Sequence, residues 1–333
     1  MKKIKIIKNI ISLALIISIV GSTLIFTSGC GQNNSSGSGL NFFFTIKDVD
    51  DSFRLTLQTS LETAAKNKGA TLTTQYCGSS TDQQVEDIKA AAKSGKYDAI
   101  ICVPVNAQTA LQLEIAAGDL PVIFMNNKPD DDNLKANKYV YVSSDEYQAG
   151  EYQAEYIYDL LNKPSTLNAV ILMGEPNHSG TIGRTDAIKS YYKSLDVNFN
   201  LVFCDYANWS DEEAKEMMKI FFKTNQDFDV IFCNNDTMAL GAIKALEEAG
   251  LSASDIPVTG VDATSDGCAS IAAGKLSFTV YQNGASQSTK AIEVAIALAN
   301  GNSTKDIEGV NDTNTAFYVD FEKVTKSNVS SYQ

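Results

Sequence analysis

His178 is the only histidine in 333 residues, and it stands in the loop GEPNHSGTIGRTD with Arg184 six positions further on. A neutral imidazole donates through one nitrogen and accepts through the other, while a guanidinium donates in a planar fork. Other short segments carry side chains of similar character: Asp51 and Phe53 in KDVDDSF, Asn126 in MNN, Trp209 in YANW, Asn235 in CNND, Asp262 in GVDA and Gln282 in YQNG. Two carboxylates such as Asp51 and Asp262 would serve a glycosidase. The sequence has no GxSxG elbow, no HExxH, no P-loop and no GxGxxG after its first apolar run. The remaining inventory is amide, guanidinium and aromatic, which binds rather than breaks bonds. Asn and Gln match the paired donor and acceptor of a polyol hydroxyl. The flat rings of Phe53 and Trp209 suit the C–H faces of a sugar. No catalytic residue, cofactor or metal is expected.

These residues recur at one kind of place. From about Leu40, short apolar runs alternate with amphipathic patterns: NFFFTI, ATLTTQY, YDAIICVPV, LPVIFMN and KYVYVSS, then NAVILMG, NLVFCDYA, DFDVIFCNN and IPVTGVD. Near-continuous apolar strands alternating with helices predict parallel sheets covered on both faces, an α/β architecture. YDAIICVPV and FDVIFCNND read as one supersecondary plan used in two halves. Ser210 with Glu213 has the spacing of a capping box. Ala214, Met217, Met218, Phe221 and Phe222 follow it as a core-facing stripe. In open α/β sheets ligands bind beyond the carboxyl ends of the strands, where the polar segments fall.

Composition narrows the class. A net charge of -13 and a pI near 4.6 argue against a nucleic-acid partner, which needs a basic surface. MKKIKIIKN followed by IISLALIISIVGSTLIF has the basic and apolar regions of an export signal. The segment TSGC resembles a bacterial lipobox, with Thr27 where Leu is usual, and makes Cys30 the expected lipidated N-terminus behind a signal peptide at 1–29. An uncleaved membrane anchor is the other reading of that run. GQNNSSGSG then reads as a flexible tether, at 30–39. Cys77, Cys102, Cys204, Cys233 and Cys268 form an odd set without metal-site spacing, and no disulfide framework is expected.

The phrases VDDSF, LPVIFMNNKPD, YVSSDEYQAGEYQA, VILMGEPNHSGTIGR, ANWSDEEAKEMM, NNDTMALGAIKAL and IPVTGVDA occur in an order that carries a resemblance, from about Phe43 to Asn300. The chain resembles the galactose/glucose-binding members of the type I periplasmic solute-binding proteins, in the ribose-binding-like group. The resemblance implies two Rossmann-like, doubly wound parallel-sheet domains joined by three hinge crossings, near Ser144, Tyr281 and Thr315. The N-terminal lobe would take 40–144 with 282–315, and the C-terminal lobe 145–281 with 316–333. It implies that Asp51 accepts from a sugar hydroxyl and that Phe53 stacks on the ring. Asn126 would bond a hydroxyl from the same lobe. From the other lobe His178 would donate, Arg184 would clamp hydroxyl or ring oxygens, Trp209 would stack on the opposite face, and Asn235 and Asp262 would bind the remaining hydroxyls. Gln282 would contribute from a crossing.

The departures are specific. Gly180 stands where those members carry Asp, Gln282 where they carry Asn, and Lys47 where a first-strand Tyr falls. The turn LNKPSTLN lacks the alternating acids of their calcium loop, so no metal site is expected there. The implied function is a lipid-anchored, extracytoplasmic, monomeric binding protein of an ABC importer. It would close on a galactose- or glucose-like hexose and deliver it to permease subunits. The alternatives are a sugar sensor feeding a chemoreceptor or sensor kinase, and a binder of a pentose or modified sugar.

Overall fold

The structure is a computed structural model that describes residues 39–49 and 51–333. The signal segment, the lipobox with Cys30 and all but the end of the tether lie outside the described residues. Among the described residues no helix is long and apolar enough to cross a membrane.

The chain begins β1 (Asn41–Ile46), α1 (Ser52–Asn67), β2 (Thr71–Tyr76), α2 (Thr81–Ser94) and β3 (Ala99–Cys102). It goes on through α3 (Ala110–Ala117), β4 (Val122–Met125) and β5 (Tyr139–Ser143). These strands, with the late edge strand β11 (Ala316–Tyr318), form a six-stranded parallel sheet in the order β11-β5-β4-β3-β1-β2. Side chains alternate across it as a strand requires. Phe42, Phe44 and Ile46 enter a core with α1 and the late helix α9 (Gly284–Ala299), and Phe43 enters the opposite core with α2 and α3.

After β5 the chain enters α4 (Glu146–Leu160) and builds a second parallel sheet, β7-β6-β8-β9, from β6 (Thr166–Met173), β7 (Asn198–Tyr206), β8 (Val230–Cys233) and β9 (Val258–Thr259). α5 (Ser179–Ser194) packs with α4 on one face, and α6 (Asp211–Phe222), α7 (Asp236–Glu248) and α8 (Ser265–Ala272) cover the other. The helix stripe on α6 behaves as its period demands: Ala214, Met218 and Phe221 are buried, with Met217 and Phe222 packed against them. The capping box is only half formed. Ser210 accepts from the Glu213 amide, but the Glu213 carboxylate turns to the Asn208 side chain at 2.7 Å.

β10 (Thr279–Tyr281) leads into α9 and back to the first sheet, where β11 (Ala316–Tyr318) supplies the edge beside β5. β12 (Glu322–Val324) then pairs antiparallel with β10. The last transfer therefore follows Tyr318 rather than Thr315, because the residues after Thr315 are needed as that edge strand. The five described cysteines are free, and four of them are buried.

The α4–α5 contact is close enough to be decided by one missing methyl. A Cβ on Gly150 would stand 2.2 Å from the carbonyl oxygen of Arg184. Gly150→Ala should therefore push the two helices apart and cost about 1–3 kcal/mol, read as a lower urea midpoint with an unchanged slope. An unchanged midpoint would show that the helices separate freely.

Candidate functional site

The C-terminal ends of both sheets face one cavity. Its wall holds Asp51, Phe53, Asn126, His178, Arg184, Trp209, Asn235, Asp262 and Gln282 together. All of the residues singled out from the sequence for ligand contact thus converge. The wall also contains Lys47, Arg54 and Glu175, and the apolar turn Val103 to Val105.

Helix starts place most of these side chains. Asp51 caps α1 by accepting from the Arg54 amide at 2.8 Å, and its other oxygen pairs with Arg54 Nε. Asn235 caps α7, with its oxygen on the Met238 amide at 2.9 Å, which leaves its NH2 without a partner among the described residues. His178 caps α5: its Nδ1 accepts from the Gly180 amide at 3.1 Å. The proton must therefore sit on Nε2, which lies 3.3 Å from the Asn126 oxygen. His178 is thus a bridge between the two sheet ends, a role the sequence did not announce. Ser179 adds to that bridge, donating from its amide to Asn127 Oδ1 at 3.1 Å and from its hydroxyl to the Asn126 carbonyl at 3.2 Å. Lys47, beyond β1, closes it further with an ion pair of 2.6 Å to Glu175, beyond β6.

Three wall residues sit in backbone that side chains seldom adopt: Asn126 at φ 61°, Trp209 at φ 65° and Asp262 at φ 111°. Such positions each cost about 1–3 kcal/mol and persist only where surrounding structure fixes them. For Trp209 that support is visible. The indole lies over Gly174, where a Cβ would come within 2.1 Å of the ring. It meets the His178 ring edge-on at 5.1 Å and the Arg184 guanidinium at 5.9 Å. Phe53 is buried in the first sheet's core and shows the cavity only part of its ring.

Arg184 is more committed than a free clamp. Its Nε and Nη2 both lie 2.6 Å from Glu146 Oε2, its Nη1 donates to the Asn234 carbonyl at 2.6 Å, and its Nη2 donates to Gln282 Oε1 at 3.1 Å. Asp262 Oδ1 is 3.9 Å from Nη1. Gln282 Nε2 is buried with no hydrogen-bond partner among the described residues. An unmet buried donor costs about 1–3 kcal/mol.

The charges of the wall pair with one another: Lys47 with Glu175, Arg54 with Asp51, and Arg184 with Glu146 behind it. Among the described residues the Asp262 side chain keeps only the long contact to Arg184. Burial pushes its carboxyl well above the usual range, with Asp236, Asp51 and Glu146 adding to the shift and Arg184 opposing it. A wall whose charges are internally compensated suits an uncharged, hydroxyl-rich ligand. Among the described residues no group of three or more His, Cys, Asp or Glu could hold a metal ion.

Sequence reasoning named Lys47 only as a departure from a first-strand Tyr, and it missed Glu175 as a wall residue although it falls in a strand-end segment. It also missed Arg54, whose place one helical turn after the Asp51 cap was the available signal. Glu146 carried no signal, since its partner is 38 positions away.

His178 also sets a stability window. Burial, then the charges of Arg184, Arg54 and Lys47, lower its pKa from 6.5 to about 3. Between those values the unfolded chain binds a proton that the folded chain refuses, so stability falls as pH drops through the window. Wild type should lose more stability than His178→Asn between pH 6.5 and about 3, measured as the shift in denaturant midpoint. Parallel curves for the two proteins would refute the buried neutral imidazole.

The model for the periplasmic binding protein domain matches residues 42–303. The chain is 29% identical over 322 residues to a putative rhizopine-binding protein of Rhizobium meliloti, covering 96% of this chain and 98% of the relative. It is 26% identical to the D-galactose/methyl-galactoside binding periplasmic protein of Haemophilus influenzae, over 86% of this chain and 89% of the relative. A crystal structure of an ABC transporter solute binding protein from Bacillus halodurans with bound myo-inositol superposes with a TM-score of 0.78 at 29% identity, covering 89% of this chain and 98% of that one. The chain belongs to the periplasmic binding protein family, in the type I sugar-binding class that serves ABC transporters, and it is a solute-binding protein rather than an enzyme.

Proposed function

We propose that this chain is the lipid-anchored, extracytoplasmic binding component of an ABC importer, and that it carries one monosaccharide-sized polyol, with a hexose of the galactose/glucose type favoured. The observation that carries this reading is the convergence of the nine candidate residues on a cavity with internally compensated charge and an unmet donor on Gln282. Size supports a single ring. The cavity measures about 40 Å³ at the centres of water-sized spheres. Widened by a water radius of about 1.4 Å on a spherical outline, that encloses roughly 180 Å³, the room one six-membered ring with its hydroxyls needs.

In this reading the carboxyl group of Asp262 and the free amide groups of Asn126, Asn235 and Gln282 bind hydroxyls, while Trp209 and the edge of Phe53 flank the ring. Lobes of 40–144 with 282–318 and 145–281 with 319–333 close on the ligand, because only the closed form presents both sets of partners. Cys30 holds the protein beside its permease. A cyclitol is the second reading, favoured by the myo-inositol in the Bacillus halodurans relative and by Gly180, which removes a carboxylate from the pocket.

Calorimetry on the chain starting after Cys30 tests this, with galactose, glucose, myo-inositol, xylose, ribose and arabinose. A hexose should bind one-to-one, and Trp209→Ala or His178→Ala should weaken it by about tenfold or more. Binding of myo-inositol alone would replace the hexose by a cyclitol, and binding of none would remove the polyol reading. The cross-cleft pair should act on release: Lys47→Met should raise the dissociation rate several-fold and reduce its dependence on salt. An unaltered rate would show that the pair does not hold the cleft shut.

A further inference from the structure

Glu146 lies outside the cavity wall, yet its position is tied to the wall's least satisfied group. It is the first residue of α4, just past the point where the chain leaves β5, and it is only 6% exposed. One of its oxygens, Oε2, takes both Nε and Nη2 of Arg184 at 2.6 Å. The other, Oε1, is buried and has no partner among the described residues. A guanidinium has five N–H groups. Two face Glu146, one the Asn234 carbonyl and one Gln282 Oε1, which leaves a single Nη1 hydrogen on the side of Asp262.

That arrangement fixes which way the Gln282 amide points. With the amide oxygen on Arg184 Nη2, the NH2 is the end of the side chain left without a partner among the described residues, and Gln282 itself lines the cavity. The flipped amide would set NH2 against guanidinium N–H, donor against donor. We infer that Glu146 is a specificity-positioning residue, which orients the Gln282 amide through Arg184 so that position 282 reads an acceptor oxygen of the ligand.

The inference rests on the proposed polyol-binding reading, and it gives Arg184 a different task from a direct clamp. It also links the two places where the chain passes between sheets, since Glu146 follows the first and Gln282 stands at the second. The bland rival is a salt bridge that only holds α4 against α5.

The test uses the chain starting after Cys30 and has two arms. In the first, the side-chain amide resonance of Gln282, assigned by its loss in Gln282→Leu, is followed without ligand. Glu146→Gln should move or broaden it, because a neutral amide no longer anchors the guanidinium. Glu146→Asp, which keeps the charge but retracts it, should do the same and serves if Glu146→Gln does not fold. An unmoved resonance in a folded variant overturns the inference.

In the second arm, galactose, glucose and myo-inositol are titrated into a double-mutant cycle. Glu146→Gln should weaken binding by about tenfold or more in the wild-type background and by much less in the Gln282→Leu background, while the melting temperature falls equally in both. Equal weakening in both backgrounds would mark Glu146 as merely structural. If none of the three binds, the hexose and cyclitol readings fail, and the resonance arm still decides the role of Glu146.

Discussion

A single buried guanidinium holds the working end of this molecule together. Arg184 reaches from α5 to the first turn of α4, to the carbonyl after β8 and to the amide beyond β10, so four separate segments share one charge. A buried cation of this kind must be fully solvated by protein groups, because an isolated one would be prohibitively costly. The groups that solvate it are then no longer free to wander. Glu146, Asn234 and Gln282 take their orientations from Arg184, and the cavity inherits its polarity from theirs.

The second constraint is the meeting of two sheets end to end. Strand ends are where backbone polar groups run out of ladder partners, and helix starts bring unpaired amides to the same level. Asp51, His178 and Asn235 each spend one acceptor on a helix amide. What remains of each side chain is aimed by the cap. That is why a pocket assembled from loops is nevertheless well defined, and why the left-handed backbone of Asn126, Trp209 and Asp262 is tolerated around it.

Charge compensation explains the character of the pocket. Lys47, Arg54 and Arg184 would make a strongly cationic cleft alone. With Glu175, Asp51 and Glu146 beside them they make a neutral wall lined with donors. Lys47 with Glu175 does this across the gap between the sheets, and the neutral hydrogen bond of His178 to Asn126 spans the same gap, so the two contacts together draw the sheet ends toward each other.

The sequence by itself determined the parallel α/β architecture, because short, near-continuous apolar runs such as NFFFTI and AIIC alternate with amphipathic helical patterns, as strands covered on both faces by helices must. It also offered candidate pocket residues, because polar residues at strand ends and helix starts have local signatures and the resemblance chose among them; the structure brings those candidates to one cavity. The half-made capping box at Ser210 and the extra edge strand at Ala316–Tyr318 escaped it, since both depend on what lies next to them in space. Only the tertiary structure decided how the pocket residues divide their hydrogen bonds. Whether His178 meets a ligand or Asn126, and whether Arg184 is free or held by Glu146, turns on pairings 52 and 38 positions apart. No local pattern encodes contacts at such separations. They arise when the packing of two sheets brings the strand ends to hydrogen-bonding distance.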